Sequence, residues 1–109
     1  MSEATLTKRV GEYLKTIPHS LFWKVHQSGF GRAGVSDYVG CVRGRFCAIE
    51  LKAPGKYIAP FVGLRKAQLA FMDDVRDSDG FYLVADSLET VKDFMAGVLS
   101  VVEVQEEYT

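Results

Sequence analysis

Apolar positions along the chain change period several times, and each change marks an element. Over residues 3–17, Leu6, Val10, Tyr13, Leu14 and Ile17 recur at helical spacing. They predict an amphipathic helix from Glu3 to about Ile17, capped by Ser2 and stopped by Pro18. Residues 21–26, rich in aromatic and apolar side chains, read as a strand. Two short apolar runs then meet at Arg43-Gly44 and read as a hairpin. Residues 53–63 form a loop broken by Pro54, Gly55 and Pro60. A second helix is predicted from about Leu64 to Arg76, with Leu64, Ala67, Phe71, Met72 and Val75 on its buried stripe. After a turn at 77–80, Phe81–Ala85 reads as a buried strand. A last helix is expected from Asp86 or Ser87 to about Ala96, with Glu89 as capping-box partner of Asp86. Residues 99–105 alternate weakly and predict an edge strand or a dimer contact, ahead of a frayed tail at 106–109.

The hairpin is where the pattern becomes chemistry. If Arg43-Gly44 is a two-residue loop, Val42 faces Arg45, and the same register sets Asp37 opposite Glu50. Side chains on one strand face recur every second residue, so Lys52 shares the face of Glu50. Facing like charges destabilise a sheet, and a cation between them removes the conflict. Mg²⁺ suits such a site, because it takes oxygen ligands and keeps positions for water and phosphate. The Lys52 ammonium is placed to orient a water or steady charge on a phosphate. A three-residue loop would instead set Asp37 against Leu51 and put the carboxylates on opposite faces. The hairpin would then be an ordinary exposed one with a Glu50–Lys52 surface pair.

At 109 residues the chain is expected to form a single domain, residues 1–109. It has no apolar run of about 20 residues that would span a membrane, and its N-terminus lacks a signal-peptide pattern. Cys41 and Cys47 have no Cys-x-x-Cys spacing, which argues against structural zinc and predicts a reduced, cytoplasmic setting. The net charge of −1 hides a division. Residues 24–66 carry eight basic side chains and only Asp37 and Glu50 as acids, a balance of +6, whereas the remainder is −7. Such a local positive field suits a polyanion and predicts nucleic-acid contacts from Lys24, His26, Arg32, Arg43, Arg45 and Lys56. A solvated basic loop region is the plainer alternative.

Three further features bear on the site. Gly29-Phe30-Gly31-Arg32-Ala33-Gly34 matches G-x-G-x-x-G, but a strand follows where a dinucleotide site needs a helix, so that reading is rejected. Gln68 falls within the apolar stripe of the second helix, where a glutamine needs a partner; the carboxylates or a bound water are candidates. Glu3 is favourably placed in the first turn of its helix and is also a candidate carboxylate for the rim of the metal site.

The order helix, strand, hairpin, helix, strand, helix carries Glu3, Gly34-Val35-Ser36-Asp37, Phe46-Cys47-Ala48-Ile49-Glu50-Leu51-Lys52 and Gln68 in sequence. In this it resembles the PD-(D/E)XK nucleases, and most closely the VRR-NUC family in its stand-alone phage and bacterial form. The resemblance covers roughly residues 2–90, with Ser36 standing where proline is usual. It implies an α/β fold with a restriction-endonuclease-like α-β-β-β-α-β core, a mixed central sheet flanked by helices. It also implies Mg²⁺ or Mn²⁺ held by Asp37, Glu50, the Leu51 backbone carbonyl and Glu3, directly or through water. Lys52 would act on the attacking water, and Gln68 would hold the hydrogen-bond network. The implied activity is endonucleolytic cleavage of branched or structured DNA by a homodimer, as in Holliday-junction resolution, within a bacterial cell. A non-catalytic nucleic-acid binding module is the alternative.

Overall fold

The computed structural model describes residues 1–26, 31–55 and 63–107, with side chains through residue 103. Its order is α1 (Glu3–Leu14), β1 (Ser20–Lys24), β2 (Tyr38–Val42), β3 (Arg45–Leu51), α2 (Lys66–Asp77), β4 (Phe81–Ala85) and α3 (Leu88–Glu107). The four strands make one mixed sheet in the order β1-β2-β3-β4. β1, β2 and β3 pair antiparallel, whereas β3 and β4 run parallel with α2 as the crossover between them. The fold is therefore α/β, a four-stranded mixed sheet with three helices.

Strand alternation divides the core into two layers. Tyr38, Val42, Cys47, Ile49, Leu51 and Ala85 face α1 and α3, meeting Leu6, Val10, Leu14, Met95, Val98 and Val102. Val39, Ala48, Tyr82 and Val84 face α2, meeting Phe71, Met72 and Val75. β3 is covered on both faces from Cys47 onward, which explains why the strand after Arg45 reads as an apolar run broken only at Glu50.

The hairpin has the expected two-residue loop. Arg43 and Gly44 both take positive φ, 48° and 84°, as a type I′ turn requires, and Val42 faces Arg45 through to Tyr38 facing Ile49. Ser2 caps α1 as expected, its hydroxyl accepting the Thr5 N–H at 3.1 Å. At α3 it is Ser87 that caps, accepting the Thr90 N–H at 3.2 Å. Asp86 instead accepts the Gly55 N–H at 3.1 Å, so the expected Asp86–Glu89 capping box does not form. The expected edge strand at 99–105 is also absent: α3 runs on to Glu107. Val91, Met95, Val98 and Val102 keep a helical spacing and are all buried. Packing of that stripe outweighs the β-branched preference of the local sequence. Among the described residues no helix is long and apolar enough to cross a membrane.

Candidate active site

Asp37 stands one residue before β2, and its main chain continues the ladder, with its carbonyl accepting the Val25 N–H at 2.8 Å. The register of β2 and β3, extended by one pair, sets Asp37 against Glu50 on the face covered by α2. The Asp37 carboxylate reaches across: Oδ2 accepts the Leu51 N–H at 2.7 Å. Glu50 lies on the face of Ala48 and is only 6 % exposed. Burial, and then the neighbouring Asp37 charge, push its carboxyl up to about 7, against opposing pulls from Lys52 and Arg65. The two carboxylates are thus close enough to disfavour one another, the conflict the hairpin register predicted.

Gln68, 5 % exposed, resolves the polar position on the α2 stripe. Its Nε2 donates to Glu50 Oε1 at 3.0 Å, and its own Oε1 accepts the Arg65 N–H at 2.8 Å. One side chain therefore satisfies the first turn of α2 and ties that helix to β3. It can sit there because Gly34, at φ +82°, lets the chain press against the main chain of Ala67 and Gln68, where any Cβ would overlap the Ala67 carbonyl.

Lys52 continues the ladder beyond β3, its N–H donating to the Ala85 carbonyl at 2.9 Å. Its ammonium donates to the Gly63 carbonyl at 3.3 Å while still lowering the pKa of Glu50. Glu3 also acts on Glu50, raising it more weakly than the others. Among the described residues no three His, Cys, Asp or Glu side chains converge as a metal cluster. Leu51, whose carbonyl the resemblance offers as a ligand, is the last residue of β3 and is buried.

Among the described residues, the basic positions do not gather in one place. Arg32 pairs with Asp74 at 2.5 Å and lies over the Phe71 ring, 5.2 Å from its centroid, one turn along α2 from Gln68. Arg45 donates to the Asp79 carbonyl and stacks over Phe81 at 4.4 Å, at the far end of β3 with Arg43. Lys24 faces Tyr38 and so points to the α1 side of the sheet, and His26 lies exposed two residues beyond the end of β1. Lys56 lies outside the described residues.

Three participants escaped the sequence reading. Arg65 was counted only as charge, yet its guanidinium lowers the pKa of Glu50 and its N–H anchors Gln68. The Gln three residues after it is the N3 half of a capping box, which was the available signal. Ser36 and Tyr82 bring hydroxyls into the interior beside the carboxylates, where the Ser36 hydroxyl draws the Tyr82 pKa down against the larger rise from burial. No residue spacing announces that pair, because it depends on β4 lying beside β3.

No protein-family model matches the chain, and neither the curated proteins nor the solved structures searched contain a match.

Proposed function

We propose that this protein is a divalent-metal-dependent endonuclease that hydrolyses phosphodiester bonds in structured DNA, on a restriction-endonuclease-like core. The carrying observation is the facing pair Asp37 and Glu50, with Gln68 donating to Glu50 at 3.0 Å and Lys52 beside them. The donor set fits Mg²⁺ or Mn²⁺. It is all oxygen, and the Leu51 N–H and Gln68 each engage one oxygen of a carboxylate, leaving the other without a described partner. A divalent ion there would supply Lewis acidity and positive charge at the phosphate. Gln68 and the Leu51 N–H fix the orientation of the two carboxylates. Lys52 places a cation where charge grows on the phosphate and leaving oxygen in the transition state. Arg65, at the positive end of α2, draws phosphate to the same end of the sheet. A homodimer would present two such sites for paired cuts across a junction.

The test is incubation with labelled linear, flap and four-way-junction DNA in Mn²⁺, Mg²⁺ or EDTA. Metal-dependent cleavage is expected, with Asp37→Asn losing Mn²⁺ affinity by calorimetry. Lys52→Ala should lose about 10²–10⁴-fold in single-turnover rate while melting like the wild type. Unchanged Mn²⁺ affinity in Asp37→Asn would sink the metal assignment, and DNA binding without cleavage in any metal would leave a binding module.

A further inference from the structure

A groove of about 590 Å³ runs between α1 and the outer strand β1, away from the carboxylates. Lys8, Gly11, Glu12 and Lys15, spaced to fall on one face of α1, form one wall, and β1 with Lys24 forms the other. The three ammonium groups are exposed, outnumber the single carboxylate, and have no ion-pair partner among the described residues. Lys8 and Lys15 belong to the part of the chain that is acidic overall, so only the fold reveals this basic surface. Trp23, the only tryptophan, is 53 % exposed beside the groove and contributes to its wall. It pairs with Val39, so alternation sends its ring to the face of Asp37, of which it is a diagonal cross-strand neighbour.

We propose that this groove binds one strand of nucleic acid, which crosses the edge of β1 with a base against Trp23 and phosphates on Lys24, Lys8 and Lys15. Cations that track a backbone beside an exposed aromatic are the features of single-strand binding. A duplex keeps its base faces stacked inside and offers none to the indole. A second copy of the chain is disfavoured, because a two-fold contact through this groove sets its lysines against themselves. The inference rests on the nucleic-acid reading above, but not on cleavage. If it holds, the strand leaving the carboxylates is unpaired, which narrows the substrate to DNA with a single-stranded arm.

Trp23 is its own reporter. Oligothymidylate titrated into the full chain in EDTA should quench the tryptophan fluorescence saturably, with a log–log salt slope of about −2 for three contacts. Lys8→Ala/Lys15→Ala should cut that slope by about 1.4, and helical circular dichroism should persist because alanine favours the helix. Trp23→Ala, followed by anisotropy of a labelled oligonucleotide, should weaken binding about tenfold. Absent binding overturns the proposal. So does binding that leaves Trp23 unquenched and the double variant's slope unchanged, or a fluorescence change that follows protein concentration alone. Mn²⁺-dependent cleavage surviving any of these failures leaves the endonuclease reading intact. Quenching without cleavage in any metal keeps the groove and removes the enzyme.

Discussion

Glu50 is a carboxyl group held where its charged form is disfavoured, buried at the floor of the site beside Asp37 and met by the Gln68 amide. Its ordinary value of 4.5 is raised to about 7 in the folded protein, first by burial and then by Asp37. Between those values the folded chain binds more protons than the unfolded one, so stability falls as pH rises. The contribution is complete below about 4.5 and lost as pH passes through about 7. Glu50→Gln keeps an acceptor for Gln68 and removes the charge. It should melt near the wild type at acid pH and be more stable at pH 8 by about 1–2 kcal/mol, allowing for solvent screening. Mn²⁺ favours the ionised carboxylates, so it should raise the wild-type melting temperature more at pH 8 than at pH 5, and that of the variant little. Parallel melting profiles for the two proteins across this range would show that Glu50 is not the strained group.

At the scale of elements, the site depends on the docking of α2 against the segment that leads into β2. Gly34 is the contact that decides it, combining φ +82° with main-chain approach to Ala67 and Gln68. Gly34→Ala adds an unfavourable backbone conformation to an overlap with the α2 main chain. It should cost about 2–4 kcal/mol in denaturant unfolding, and it should slow any cleavage by moving Gln68 from Glu50. A loss below about 1 kcal/mol would mean that α2 shifts freely and that Gln68 is not held in place. Much of this arrangement is legible in the chain. Arg43-Gly44 set the register that pairs Asp37 with Glu50, because a two-residue loop allows only one parity. Gln68 stood out as a polar residue in an apolar stripe and found its partner on the sheet. The end of α3 was not legible: the β-branched residues Val101, Val102 and Val104 suggest a strand, while Val98 and Val102 join the packed stripe of Val91 and Met95. Local propensity lost there to tertiary burial. Arg65 and Tyr82 were not legible because their proximity to the carboxylates is created by α2 and β4 closing over β3, and Ser36, adjacent to Asp37 in the chain, gave no sign that its hydroxyl turns inward beside Tyr82.

Across the whole molecule, the described basic side chains of the segment 24–66 do not form one surface. Lys52 and Arg65 act on Glu50 at one end of the sheet, while Arg43 and Arg45 occupy the hairpin at the other. Five residue steps along β3 take Arg45 to Glu50, a span of about 16 Å at roughly 3.3 Å per residue. That exceeds the screening length of about 8–10 Å at physiological ionic strength, so the two ends act on a ligand separately. The α3 packing also draws Val98 and Val102 into the core, and Val101 is exposed, so among the residues whose side chains are described this stretch leaves little apolar surface outside the core. If DNA is engaged at the carboxylates, Arg65→Glu should weaken binding several-fold and reduce the log–log salt slope by about 1, the share of one phosphate contact. Arg43→Glu should change affinity less than about twofold and leave the slope as it was. Both variants keep their main-chain contacts, the Arg65 N–H to Gln68 and the Arg43 N–H to the His19 carbonyl. Equal losses would place the polyanion along the full length of the sheet. A loss at Arg43 alone would move it to the hairpin and separate DNA binding from the carboxylates.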